Sequence, residues 1–237
     1  MTAPLHERFG LGQRELVSIV GAGGKSTTMF TLGRELAAEQ HRVIVTTTTK
    51  LAVEQAGEPA LWTDGSSDVE AALVAGQALF VAAEHIPEKV TGPTPEAVDR
   101  LFAETTADYI IVEADGARSL LIKAPEEHEP VIPSTSTMVV VVAALDALGQ
   151  PISDVAHRPE LVARLAGSRP DAVLTVEGAA RVLLHPEGGL KGIPVNARVV
   201  MALTKLTWEE RDTAAELISI LTTHPRVDRV VPIPLIR

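Results

Sequence analysis

The chain has 237 residues, of which 46 % are hydrophobic and 22 % charged, and its formal net charge is −10. This balance can bury a sizeable core and excludes wholesale disorder, while the negative charge argues against nonspecific nucleic-acid binding and against attachment to an anionic membrane surface. With no cysteine present, disulfides, thiolate zinc sites, iron–sulfur clusters and cysteine nucleophiles are all excluded.

No apolar run approaches the ~20 residues that span a bilayer. The first eight residues, Met1 to Arg8, lack the basic-then-apolar order of a leader. The expectation is a cytoplasmic protein folded as one domain over residues 1–237. Aromatic residues are 3 % of the chain, so stacking of bases on aromatic platforms is a poor candidate for its binding mode.

Residues 1–14 read as a lead-in. A first strand is expected from Glu15 to Val20. A helix follows from about Lys25 to Glu39, with Met29, Leu32, Gly33, Leu36 and Ala37 on its inward stripe. Between them lies Gly21-Ala22-Gly23-Gly24-Lys25-Ser26-Thr27. A phosphate-binding loop requires this order of apolar strand, glycine turn and helix start. Glycines let successive N–H groups curl around an anion, and the helix adds its positive end. Lys25 can reach terminal phosphates, and Ser26 can ligate the Mg²⁺ of a nucleotide. The full Walker A string asks for glycine where this chain has Ile19. The shorter form Gly21-x-x-Gly24-Lys25-Ser26 is what is present.

A second strand, Arg42 to Val45, runs into Thr46-Thr47-Thr48-Thr49-Lys50. The spacing is that of a βαβ unit with a parallel sheet. It puts the threonines at the carboxyl edge of the strand, where open α/β sheets bind ligands. The run either lengthens the strand, as threonine favours, or serves the site, with Thr48, Thr49 and Lys50 better placed for that than Thr46.

Residues 51–66 read as irregular, with a short strand at Ala60 to Thr63. Ser67-x-x-Glu70 reads as a capping box opening a helix to about Gly76. Ala78 to Ala82 reads as a strand, Glu84 to Pro93 as a loop, and Thr94-Pro95-Glu96 as a capped helix start. That helix carries Val98, Leu101, Phe102 and Thr105.

Tyr109 to Val112 is a continuous apolar run, as in a strand buried on both faces, and it ends in Glu113-Ala114-Asp115-Gly116. Two carboxylates at the end of a central strand suit the side of a Mg²⁺–nucleotide site opposite Ser26. Glu113 stands at the usual place for a metal-directed acid. Asp115 could hold a metal-bound water or orient an attacking group, and the alternative is an ordinary acidic turn. The loop from Leu121 to Pro133 is dense in Lys, His, Glu and Pro. It reads either as a specificity loop carrying Lys123, His128 and Glu129 or as a rigid connection.

Thr137 to Val142 reads as another buried strand, followed by Leu145 to Gly149. His157-Arg158-Pro159 precedes a helix with Leu161, Val162 and Leu165. A short helix from Val176 to Leu184 comes next. A strand from Arg198 to Leu203 ends in Thr204-Lys205-Leu206-Thr207. Thr207-x-x-Glu210 reads as a second capping box, with Ala214, Leu217, Ile218 and Leu221 along its helix. Val227 to Val231 reads as the last strand. The seven histidines show no metal-ligand spacing and read as polar contacts.

Five blocks together resemble the YqeC-type family, whose members are named as accessory proteins of selenium-dependent molybdenum hydroxylases. They are Gly21 to Thr28, Thr46 to Lys50, Glu113 to Ala117, Lys123-Ala124-Pro125 and His128 to Pro133. The likeness continues through Leu145 to Gly149 and His157-Arg158-Pro159. It implies a P-loop NTPase-like fold, with a mostly parallel sheet and helices on both faces in three αβα layers. It also implies a role near maturation of a molybdenum hydroxylase, with that enzyme or its maturation proteins as partners. More distantly, the short glycine loop, the threonine run and Glu113 are similar to the ATP-binding domain of Mur ligases. In that family a strand-end Glu contributes to Mg²⁺ binding, which makes Glu113 the first choice for the metal. P-loop GTPases carry Asn-Lys-x-Asp after a late strand to read guanine. Here Thr204-Lys205-Leu206-Thr207 stands in that place. Lys205 could still stack on a base, but Thr207 lacks the carboxylate that pairs with guanine N–H groups. The expected nucleotide is therefore ATP before GTP.

Three functions fit these residues. The first is a Mg²⁺-dependent NTPase in which Lys25 neutralises phosphate charge, Ser26 and Glu113 hold the metal and Asp115 orients water. The second is a ligase or kinase acting on a small acceptor held by Lys123, His128, Glu129, His157 and Arg158. The third is a nucleotide-binding scaffold without turnover. A homodimer is left open, and neither nucleic acid nor membrane is expected as a partner.

Overall fold

The computed structural model describes residues 3–52, 60–63, 65–86 and 89–235. Among these, eight strands form one parallel sheet. They are β1 (Glu15–Gly21), β2 (Val43–Thr47), β4 (Ala60–Trp62), β5 (Ala78–Ala82), β8 (Tyr109–Glu113), β10 (Met138–Ala144), β12 (Arg198–Leu206) and β13 (Arg229–Pro234). Their order is β13-β12-β10-β1-β8-β2-β5-β4, and each adjacent pair is parallel. Parallel strands are covered on both faces, which is why β1, β8 and β10 read as near-continuous apolar runs.

Alternation along each strand divides these side chains between two cores. On one face Val17, Ile19, Val45, Ile111 and Val140 pack against α1 (Leu5–Phe9) and α2 (Lys25–Ala38) through Phe9, Met29, Leu32 and Leu36. The other face holds two clusters. Leu16, Ile44, Val81 and Ile110 meet α3 (Ser66–Ala72) and α4 (Pro95–Glu104) through Val69, Val98 and Leu101. Val141, Val199 and Met201 meet α6 (Pro159–Ala166), α7 (Val176–Leu184) and α8 (Arg211–Thr222). The fold is therefore a three-layer α/β architecture, as the sequence leads one to expect. Leu101 is fully buried, and burying such a side chain contributes about 2 kcal/mol.

The crossover from β1 to β2 runs one way over the α2 face. Those from β5 to β8, β10 to β12 and β12 to β13 run the other way over the opposite face. Both senses satisfy the right-handed rule. Connections diverge at β1 and β10, so the carboxyl ends of β1, β8 and β10 frame the crevice where such sheets take ligands.

Several local expectations need correction. The stretch Glu84 to Pro93, expected as a loop, contains β6 (Glu84–Ile86) and β7 (Lys89–Thr91). With β3 (Lys50–Ala52) they form a small antiparallel sheet in the order β3-β7-β6. Leu51 opposes Val90 and both are buried, so a few alternating residues were enough to pin the register. The irregular stretch expected over 51–66 lies partly outside the described residues. Ser67 does not cap α3, whose N-cap is Gly65. Glu70 instead accepts hydrogen bonds from the Thr106 N–H and hydroxyl at 2.7 Å each. Thr94 does cap α4, accepting from the Ala97 N–H with Pro95 in the first turn. At the second expected capping box Glu210 accepts from both the N–H and the hydroxyl of Thr207, and the helix begins one residue later, at Arg211. Strand β12 runs on to Leu206, past an irregularity between Leu203 and Leu206. Two short strands, β9 (Ile122–Lys123) and β11 (Ala156–His157), pair in parallel, and a four-residue helix α5 (Ile152–Val155) precedes β11. Among the described residues, no helix is long and apolar enough to cross a membrane.

Candidate functional site

The turn between β1 and α2 needs glycine for steric reasons. Gly21, Gly23 and Gly24 have φ of 96°, 76° and 125°, values that L side chains rarely adopt. A Cβ on Gly21 would lie 2.1 Å from the Val142 carbonyl oxygen of the neighbouring strand. The loop is held from both sides: the Gly21 N–H donates to Asp115 Oδ2 at 3.0 Å, and the Ala22 N–H donates to the Val142 carbonyl at 2.9 Å. By contrast, the N–H groups of Gly23, Gly24, Lys25, Ser26 and Thr27 have no acceptor among the described residues. These are the orphan donors of a helix start, extended by the glycine turn.

Lys25 folds back over its own loop. Its Nζ donates to the Gly21 carbonyl at 2.9 Å and lies 3.3 Å from Asp115 Oδ1 and 3.9 Å from Glu113 Oε1. Asp115 Oδ1 has no hydrogen bond despite that approach, so the pair is held by charge and not by a well-directed bond. Ser26 donates to Glu113 Oε2 at 2.7 Å. Burial raises the Glu113 carboxyl above its ordinary value, opposed by Lys25 and by the Ser26 hydrogen bond.

The structure brings most of the residues singled out in the sequence to one cavity of about 1120 Å³ at the carboxyl edge of the sheet. Gly23 to Thr27 and Glu113 form one wall; Lys50, Leu51 and Lys89 of the small sheet form another. Residues 116–119, His128, Glu129, His157 and Arg158 form a third, and Lys205 stands at the border. Asp115 is not on the cavity surface. It is 2 % exposed and lies beneath the loop, joined to Gly21, Lys25 and, at 3.1 Å, Lys123.

From Lys25 a chain of alternating charge runs to the third wall. Lys25 meets Asp115, Asp115 meets Lys123, and Lys123 meets Glu129 at 2.9 Å. Glu129 accepts from Arg158 at 2.6 Å, and Arg158 meets Glu126 at 2.7 Å. Lys123 also donates to the Gly116 carbonyl at 2.6 Å, so its charge is spent inside the protein. Burial would raise the Glu129 carboxyl, but hydrogen bonds and charge from Arg158 and Lys123 prevail and bring it down to about 2. Burial, Arg158 and Lys123 lower the His157 imidazole, which favours its neutral form at neutral pH.

The threonine run is largely structural. Thr46 and Thr47 are buried members of β2 and donate to the Val81 and Glu113 carbonyls at 2.7 and 2.8 Å. Thr48 donates to the Val131 carbonyl at 2.6 Å, fastening the third wall to the strand end. Thr49 and Lys50 reach the cavity. Lys205 adopts a φ of 57° and pairs with Asp146 at 3.0 Å, while Thr204 donates to the Gly23 carbonyl. His128 is largely exposed, near Glu126.

Sequence reasoning missed Arg118 and Ser119 on the third wall and Lys89 on the second. Arg118 and Ser119 have φ of 45° and 60°, and the preceding Asp115-Gly116 turn was the one available signal. Among the described residues, no group of three or more His, Asp or Glu is placed to hold a metal ion. A Mg²⁺ that keeps waters and bridges substrate phosphates needs only one or two protein oxygens, and the Ser26–Glu113 pair would be the group to offer them.

A family model described as "YqeC protein" matches residues 17–160, from β1 through the glycine loop, Glu113 and Glu129 to Arg158. The uncharacterized protein YqeC of Escherichia coli (strain K12) is 34 % identical over 213 residues, covering 88 % of this chain and 83 % of that protein. With more than half of its length matched by the family model and a relative of this similarity along most of the rest, the chain belongs to the YqeC family.

Proposed function

We propose that the protein binds a Mg²⁺-complexed nucleoside triphosphate on the glycine loop, ATP in preference to GTP, and hydrolyses it. The observation that carries this reading is the row of five N–H groups, Gly23 to Thr27, left without acceptors at the wall of a large cavity. Donors in such a row are satisfied by water or by an anion, and their dipoles sum in favour of the anion.

Lys25 adds a full positive charge at the base of the loop. Asp115 acts from beneath, holding Gly21 and Lys25 in place. Ser26 and Glu113 would hold the metal, which when bound neutralises charge on the β- and γ-phosphates. Guanine selection lacks support, because Thr207 is occupied by Glu210 and presents no carboxylate. The resemblance carried by the sequence blocks adds a setting, an accessory step in the maturation of a molybdenum hydroxylase. Loss of the gene should then lower hydroxylase activity in the same cell.

The test is a thermal-shift titration with Mg²⁺ and ATP, GTP or CTP. ATP should raise the melting temperature most, and Lys25→Ala should abolish the rise. Ser26→Ala, at a partly exposed position, should weaken Mg²⁺-dependent binding while leaving the fold intact. An equal shift in wild type and both variants would overturn the reading.

A further inference from the structure

The third wall of the cavity carries a charge that the glycine loop does not use. Six Lys or Arg side chains and three Glu line the cavity, in a protein whose formal charge is −10. Lys25, Arg158 and Lys205 are each paired with carboxylates. Arg118, like Lys50 and Lys89, is exposed, lines the cavity, and among the described residues forms no side-chain ion pair or hydrogen bond. It lies close enough to His157 to perturb it. Arg118, Ser119 and Arg158 all adopt left-handed backbone conformations, which cost of order 1–3 kcal/mol each away from glycine and persist where surrounding structure holds them. The cavity, at about 1120 Å³, exceeds the roughly 300–1,000 Å³ usual for one small ligand.

We infer that the cavity takes a second ligand besides the nucleotide, a phosphate-bearing small molecule held at the Arg118–Ser119–His157 wall. Arg118 supplies the planar fork that matches phosphate oxygens, and the Ser119 hydroxyl is at hand beside it. Lys50 and Lys89 add positive field from the neighbouring wall. The Arg158 guanidinium is engaged by Glu126 and Glu129, so it holds the wall in shape and leaves the ligand to Arg118. This rests on the proposed nucleotide site only in placing the two ligands face to face, and the anion subsite stands without it.

Calorimetric titration of the full chain with inorganic pyrophosphate, in the absence of Mg²⁺, separates the two. Two classes of site are expected, one removed by Lys25→Met and the other weakened at least tenfold by Arg118→Ala. Arg118 is exposed, so its variant should melt as wild type does. The Arg118-dependent class should also bind glycerol 3-phosphate or inorganic phosphate. Either result supports the subsite, and the tighter of the two names the source as an organic phosphoester or as free phosphate. One class lost in Lys25→Met and unchanged in Arg118→Ala would overturn the inference, as would one class lost in both. An Arg118-dependent class without a Lys25-dependent one would uphold the subsite, and the Mg²⁺–ATP thermal shift in wild type and Lys25→Ala separately decides the nucleotide reading.

Discussion

Glu113 and Glu129 face the same cavity from opposite walls, and their surroundings push them in opposite directions. Glu113, at the end of β8, is buried beside one hydroxyl and a lysine 3.9 Å away, and it is raised. Glu129, on the loop leading to β10, receives direct bonds from Arg158 and Lys123 and falls to about 2. Two carboxylates driven apart in this way divide the labour. The raised one is short of a directly bonded cation, and the lowered one is a permanent charge that organises its wall. The contrast arises from the number of cations in bonding contact, since burial acts upward on both.

The comparison breaks most completely at Lys123, which is shared by the carboxylates beneath both walls. Lys123→Met should cost about 3–5 kcal/mol, because it leaves buried Asp115 and half-buried Glu129 short of a partner. Urea unfolding measures this, and a loss below 1 kcal/mol would mean that the two walls are held independently. Next in size is Gly21→Ala, expected to lose about 3 kcal/mol from the positive φ and the approach to the Val142 carbonyl. It should disturb the glycine wall and spare Glu129.

Glu129→Gln sharpens the other side. The folded value of Glu129, about 2, lies below the ordinary 4.5. Its ionised form therefore stabilises the fold above pH 4.5, and this contribution is lost as pH falls from about 4.5 to about 2. The substitution should cost about 1–2 kcal/mol at pH 7, allowing for solvent screening of a group that is only half enclosed, and nothing near pH 2. Glu113→Gln has the reverse sign. Its raised folded value makes the charged form an unfavourable guest at neutral pH. Stability measured at pH 7 should therefore change by less than about 1 kcal/mol or rise. Nucleotide hydrolysis should nonetheless fall about 100-fold or more, because the variant lacks the proposed metal-holding carboxylate. Parallel pH scans of the two variants, with slopes of the same sign, would dissolve the contrast.

The glycine wall was legible in the sequence because its chemistry is local. Gly21 to Thr27 are consecutive, and their spacing between a strand and a helix specifies the turn. Glu113 was legible for a similar reason, as the acid that ends an apolar strand. The third wall is built from segments far apart in sequence, such as Glu129 with Arg158, 29 residues on, and their approach depends on the pairing of β9 with β11. Two-residue strands leave no periodic trace. Asp115 shows the limit most clearly. Beside Glu113 it reads as a second active carboxylate, and alternation two residues on would put both on one face. Strand β8 ends at Glu113, however, and the turn that follows carries Asp115 beneath the loop toward Lys123. The small sheet escaped notice because three-residue strands such as β3 and β7 offer one alternation each. Helices α4, α6 and α7, each with two or more turns of amphipathic pattern, fell where expected.

The run Lys25, Asp115, Lys123, Glu129, Arg158, Glu126 has a consequence for how this protein can vary. Each member touches neighbours of opposite sign at 2.6 to 3.3 Å. Reversing any interior charge alone would set like charges against both neighbours, so single replacements are closed to drift. Changes there must arrive in linked pairs, and relatives that differ at one of these positions should differ at the next. The six side chains should thus vary as one block, although they are scattered over 134 positions of sequence from Lys25 to Arg158.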